Sequence, residues 1–280
     1  TLLEKGDEVV MMVPNYMQIW GIAEEMGCIP KAFHLREEND WKPDLQELRS
    51  LVTKNTKMIA ICNPNNPTGY TLTKEEMQEI VAIAKSVDAW VYCDEVYRGA
   101  ALDGNIRESF ISLYDKVMVN GGLSKAYALP GLRLGWLIGP EEVIADTWAY
   151  HDYTSITAGI MSHFIGEIAL QPEKRKEILQ RNRTMLNENL TAVKEWLDQY
   201  GDLFQYVVPQ SGGMLFIKYN LDINSTELAK WLREEKSVFI LAGDCYGMDH
   251  HFRLGIGERK EYILNGLELV KQAFKERFDI

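Results

Sequence analysis

Short apolar runs alternate with helically spaced segments over the first half of the chain. Glu8 to Val13, Ile29 to His34, Met58 to Cys62, Trp90 to Cys93, Val117 to Asn120 and Leu134 to Ile138 read as strands, each bounded by polar or turn-forming residues. Between them the apolar positions take a helical period. Asn15 to Met26 reads as a helix with Asn15 at its N-cap and Gly27 after its end, and Asp44 to Val52 as a second. Thr73 and Glu76 form a capping box before a third that runs to about Ser86. Such alternation predicts an α/β fold, a mostly parallel sheet with helices on both faces.

The pattern changes after Glu141 and becomes mainly helical. Pro172 to Tyr200 keeps helical periodicity throughout, with its charges on a solvated face, and is expected to bridge to a second unit. Beyond it lie strands at Phe204 to Val208 and Met214 to Tyr219, a helix at Ser225 to Glu234, strands near Val238 to Leu241 and at Phe252 to Gly255, and a last helix from Lys260. The expected organisation is a large α/β domain over residues 1–170 and a smaller C-terminal α+β domain over 171–280.

Composition narrows the classes. A chain of 280 residues with 46% hydrophobic residues supports a sizeable core. A net charge of −11 argues against nucleic acid and anionic membranes as partners. No apolar run is long enough to span a bilayer. Cys28, Cys62, Cys93 and Cys245 show no C-x-x-C spacing and read as reduced thiols, which suits the cytoplasm. His250 and His251 are adjacent, so on a strand they point to opposite faces and make no metal site.

Three strand ends carry reactive side chains. Val117 to Val119 leads into Gly121-Gly122-Leu123-Ser124-Lys125, which places Lys125 just past a buried strand. A poorly solvated amine there is a nucleophile suited to Schiff-base formation. The strand ending at Cys62 runs into Asn63-Pro64-Asn65-Asn66-Pro67-Thr68-Gly69, a turn rich in residues that fix backbone direction. A third strand delivers Asp94, with Tyr97 three residues on. In open α/β sheets ligands bind outside the carboxyl ends of strands, so Asn66, Asp94 and Lys125 are expected to meet in one crevice. A lysine, a carboxylate and hydrogen-bond donors are what pyridoxal phosphate requires: an amine for the aldehyde, an acid for the ring nitrogen, donors for the ring oxygen.

With these motifs in order, the chain resembles the class I/II aminotransferases among the fold-type-I pyridoxal phosphate enzymes. The resemblance rests on Asn63 to Gly69, on Asp94-Glu95-Val96-Tyr97, and on Ser124-Lys125 followed by Gly131-Leu132-Arg133-Leu134-Gly135, and it extends over essentially the whole chain. It implies that Lys125 forms the Schiff base and shuttles the proton, that Asp94 pairs the ring nitrogen, that Asn66 and Tyr97 bind the ring oxygen, and that Arg133 binds the phosphate. By the same resemblance Tyr16, in Val13-Pro14-Asn15-Tyr16, stacks on the cofactor ring, and Arg253, in His251-Phe252-Arg253-Leu254-Gly255, grips the substrate α-carboxylate together with Asn66. Ser211-Gly212-Gly213 resembles the glycine-rich strand start beside the substrate pocket, although a bulge explains those glycines equally well. A homodimer with shared active sites is also implied.

The sequence departs from the family pattern in two places. Gly122 stands where a phosphate-binding hydroxyl is often found, which leaves Ser124 or backbone amides to complete the cup. The family's glycine-rich turn and phosphate-binding helix N-terminus have no counterpart before Thr1, so a chain lacking its N-terminal segment is expected. The leading activity is transfer of an amino group from an amino acid to a 2-oxo acid. One alternative is a carbon–sulfur β-lyase, which Tyr97 disfavours because such lyases often carry His there. The other is a truncated, non-catalytic remnant.

Overall fold

The computed structural model describes residues 1–279. The first strand and helix are β1 (Glu8–Val13) and α1 (Gln18–Glu25). There follow β2 (Ile29–Arg36), β3 (Lys42–Pro43), α2 (Leu45–Leu51), β4 (Thr56–Cys62), α3 (Lys74–Ser86), β5 (Trp90–Asp94), β6 (Val117–Gly122) and β7 (Gly135–Ile138). Seven strands form one sheet in the order β3-β2-β1-β4-β5-β6-β7. Neighbours from β2 to β6 run parallel, and the two edge strands β3 and β7 are antiparallel.

The unbroken apolar character of the central strands follows from burial on both faces. Val10, Met12, Ile59, Ile61, Val91 and Val119 pack with Leu48 of α2 and Met77 and Ile80 of α3. Val9, Met11, Met58 and Ala60 point the other way, toward Ala23 of α1 and the flanking Trp20 and Trp90. The capping box is present: Thr73 accepts from the Glu76 amide at 3.2 Å and Glu76 accepts from the Thr73 amide at 2.8 Å.

The chain then continues through α4 (Glu141–His151), α5 (Ile160–Leu170) and α6 (Pro172–Leu197). Next are β8 (Phe204–Tyr206), β9 (Met214–Tyr219), α7 (Ser225–Lys236), β10 (Leu241–Ala242), β11 (His251–Gly255) and α8 (Lys260–Phe278). These last four strands make a separate antiparallel sheet, β10-β11-β9-β8, with its own core of Leu190, Trp196, Leu215, Ile217, Leu228 and Phe274. Helix α6 serves both units. Its first turns place Leu179 against Leu123 and Ala126, and its later turns bury Leu186 and Val193 in the second core. The two cores meet where Phe216 of β9 and Tyr246 join Trp41 in the larger cluster. No helix among the described residues is long and apolar enough to cross a membrane. Cys28, Cys62 and Cys93 are buried free thiols, and Cys245 is exposed and free.

Two local expectations are corrected, and one strand arises that the sequence pattern does not mark. Asn15 does not cap α1: the helix starts three residues later behind Met17, with no side-chain cap. Asn15 Oδ1 instead accepts from the Tyr16 amide at 2.7 Å, and the Asn65 side chain holds the Pro14 carbonyl at 3.1 Å, so this segment stays an ordered loop. Residues 238–240 do not form a strand. Ser237 closes α7 in the left-handed region and the Val238 amide returns to the Leu232 carbonyl at 3.1 Å, which delays pairing until Leu241. The two-residue strand β3 has no apolar pattern of its own and arises from pairing with β2.

Candidate active site

Strands β4, β5 and β6 are neighbours and parallel, with Cys62, Asp94 and Asn120 level in register, so their carboxyl ends open on one edge. Beyond β4, the loop from Asn63 to Leu72 is buried throughout. A buried loop must satisfy its backbone internally, and here asparagines do so. Asn63 Oδ1 accepts from the Leu72 amide at 2.9 Å, and Asn65 Oδ1 accepts from the Thr68 amide at 3.1 Å and its hydroxyl at 2.7 Å. Gly69, with φ +72°, is needed at the loop's end, since a Cβ there would lie 2.4 Å from Pro209 Cβ. The rigid loop presents Asn66, which is 5% exposed. Its Oδ1 accepts from Arg253 Nη1 of β11 at 2.9 Å, a direct link between the two sheets.

Asp94 closes β5 and is largely buried. Burial pushes its carboxyl above the usual carboxylate range, while the Val96 amide, the Asn120 amide and the Lys125 charge pull it back toward ionisation. Both hydrogen bonds fall on Oδ1, from Val96 N at 3.0 Å and Asn120 Nδ2 at 3.1 Å. Oδ2 receives none from the described residues. Tyr97 is buried one turn later, and burial pushes its hydroxyl up, against the lowering effect of Arg253.

Lys125 stands in the turn after β6, and its surroundings differ from expectation. The neighbours Ala126 and Tyr127 take the buried places, and the lysine itself is exposed, opening onto a crevice of about 390 Å³. Tyr97, Ser124, Arg183, Gly213 and Arg253 share that crevice. Its volume lies within the range of small-molecule sites. Asn182 of α6, fully inside, donates to the Ala126 carbonyl at 3.0 Å and so fixes the lysine turn. Gly122 lies where a Cβ would be tight. It pairs with Gly135 across β6 and β7, and a Cβ would come within 3.2 Å of the Leu134 carbonyl oxygen. Arg133, with φ 49°, closes a short helical turn and donates Nη1 to the Pro130 carbonyl at 2.8 Å and to Ser124 Oγ at 3.5 Å. A hydroxyl and a guanidinium are thereby paired near Lys125, at the place an anion would be held.

Arg253 lies opposite Phe216 in β11 and β9, with its guanidinium carbon 5.8 Å from the Tyr246 ring centroid. Tyr16 is on the loop between β1 and α1 and is 52% exposed. The structure therefore brings Asn66, Asp94, Tyr97, Ser124, Lys125, Arg133 and Arg253 to one region around the strand ends, and leaves Tyr16 on an open loop beside it. Sequence reading missed Asn120, Asn182 and Tyr246. Asn120 carried a usable signal, a polar side chain ending an otherwise apolar strand; the other two are recruited from distant segments.

The sequence matches the family model described as aminotransferase class I and II over residues 1–268. It is 27% identical to an aspartate aminotransferase of Pyrococcus horikoshii, spanning 98% of this chain and 71% of that protein. It is 26% identical to capreomycidine synthase of Streptomyces vinaceus, over 95% of this chain and 68% of that one. Among solved structures, a PLP-dependent aminotransferase from Streptococcus suis 89-1591 superposes with a TM-score of 0.91 at 35% identity, covering 98% of this chain and 72% of that one.

Proposed function

The chain belongs to the class I and II aminotransferases, and on that premise we propose how its own residues carry out the reaction. It is a pyridoxal phosphate-dependent transferase of amino groups between amino acids and 2-oxo acids. The residues fit that cofactor. Asp94 Oδ2, the Asn66 amide nitrogen, the Tyr97 hydroxyl and the Lys125 amine all lack a protein hydrogen-bond partner among the described residues, and they supply an acceptor, donors and a nucleophile. The single observation that carries the reading is this set of free groups beside the Arg253–Asn66 link.

When bound, pyridoxal phosphate supplies a carbonyl carbon for the amine and an aromatic ring that draws off the electron pair left when the substrate α-proton departs. Lys125 would hold the cofactor covalently, and its Nζ, once free, would serve as the base that takes the substrate α-proton and the acid that gives it back. Its exposed amine has room for that movement. Asp94 would keep a proton on the ring nitrogen through Oδ2, the oxygen that Asn120 and Val96 leave free. Asn66 and Tyr97 would donate to the ring oxygen, Ser124 and Arg133 would hold the phosphate, and Tyr16 would cover the ring. Arg253 binds the α-carboxylate with the guanidinium nitrogens that its bond to Asn66 does not use. The crevice belongs to a large unit, residues 1–170, closed by a small one, residues 171–280.

The purified chain with added cofactor, an amino acid and a 2-oxo acid is expected to yield the exchanged pair. Pyruvate, ammonia and homocysteine formed from cystathionine without an oxo acid would overturn this in favour of β-elimination.

The working form we propose is a cytoplasmic homodimer. Free thiols support the location. The dimer is supported by a run of exposed apolar side chains, Trp148 and Tyr150 on α4, Tyr153 in the turn after it, and Ile160 and Phe164 on α5, with Tyr153 89% exposed. Sedimentation equilibrium is expected to give twice the chain mass for the native protein and the single mass for Ile160→Asp. A native protein that sediments as a monomer would overturn the proposal.

A further inference from the structure

His251 begins β11, two residues before Arg253, so both side chains leave the strand on the same face, toward the larger sheet. It is 5% exposed. Its ring stacks on Phe216 at 5.0 Å between centroids and meets Trp41 edge-on at 6.5 Å. Nδ1 lies 2.8 Å from the Asp249 carbonyl oxygen, and Nε2 lies 3.3 Å from Glu37 Oε2, just beyond the end of β2. Lys218, level with His251 on β9, places Nζ 3.9 Å from the same Glu37 oxygen. Strand β11 thus touches the larger unit twice, through His251–Glu37 and through Arg253–Asn66.

A carbonyl oxygen and a carboxylate only accept hydrogen bonds. Each ring nitrogen of His251 therefore faces an acceptor, one a backbone carbonyl and the other a partly exposed carboxylate. Such a contact is orientation-specific, and the imidazole is held against the Phe216 and Trp41 rings. Arg253 by contrast is held to the larger unit by one bond, from a long side chain, to a group that also serves the ligand.

We propose that the His251–Glu37 pair is a positioning device that fixes β11 against the larger unit and so sets the Arg253 guanidinium at the depth where it meets the substrate α-carboxylate. The inference rests on the reading of Arg253 as the carboxylate ligand. Neither residue touches the reacting atoms, so their loss acts on substrate capture and not on proton transfer.

The test is steady-state kinetics on the cofactor-loaded enzyme, comparing His251→Asn, Glu37→Ala, Glu37→Gln, the His251→Asn/Glu37→Ala double variant and Arg253→Ala, with thermal melting alongside. The single variants are expected to raise the amino-acid KM roughly tenfold, the scale of one hydrogen bond to a charged group, with kcat within about twofold of native. Glu37→Gln keeps a side chain able to bond the ring and is expected to recover most of the loss seen in Glu37→Ala. The double variant should be no worse than the poorer single one. Arg253→Ala should raise KM further than any of them. If Arg253→Ala raises KM while folded Glu37→Ala and Glu37→Gln leave it unchanged, the positioning inference alone is overturned. If Arg253→Ala leaves KM unchanged, the carboxylate reading falls first and this inference with it. Should His251→Asn fail to fold, the Glu37 pair of variants decides.

Discussion

Lys125→Ala is expected to lose amino transfer by more than about 10³-fold in kcat/KM. A positioned proton-transfer group alone contributes about 10²–10⁴-fold, and this lysine is also the proposed point of covalent attachment. The protein itself should stay folded, because Lys125 is exposed and the buried places in its turn belong to Ala126 and Tyr127. The check has two parts. Borohydride treatment of the cofactor-loaded native protein should fix the cofactor to the peptide containing Lys125, and the variant should show no fixed cofactor and an unchanged melting temperature. Native-like turnover by the variant, or covalent fixation at another lysine, would move the reacting centre elsewhere in the crevice.

Asp94→Ala is the second large effect, expected to lower kcat/KM by about 10²–10⁴-fold. Removing one partner from a buried charged pair costs about 3–5 kcal/mol, because the remaining charge is left uncompensated. In the proposed site that charge would be the protonated ring nitrogen of the cofactor. The structure adds a diagnostic detail. Burial alone raises the Asp94 carboxyl, and ionisation is favoured by the Val96 amide, Asn120 and Lys125. Cofactor affinity measured by equilibrium absorbance should therefore weaken in Asp94→Ala while covalent attachment at Lys125 survives. Full activity in the variant would remove Asp94 from the ring nitrogen.

Much of this protein is legible from sequence for one physical reason: its central strands are buried on both faces. They must be nearly all apolar, and polar residues such as Asp94 and Asn120 appear where the strands end. Chemistry-bearing residues then fall at carboxyl ends that a parallel sheet aligns automatically. The capping box at Thr73 and Glu76 is legible because its partners are three residues apart. The failures have the opposite character. Asn15 has the chemistry of an N-cap, yet its loop is held by Asn65, fifty residues away. Residues 238–240 have strand composition, but the bond from Val238 back to Leu232 wins. The solvation of Lys125 was misread because burial of one turn residue or its neighbour depends on which side the turn presents to α6.

Local pattern thus determined the class of fold, the order of its elements and which polar side chains stand at the strand ends, since periodicity and short motifs act over neighbouring residues. Only the tertiary structure decided that Asn66 shares a bond with Arg253 across 187 positions, that Asn120 and Asn182 hold Asp94 and the lysine turn, and that His251 pairs with Glu37. Those contacts join segments far apart in the chain, and close packing between the two sheets sets their geometry, which no run of adjacent residues encodes.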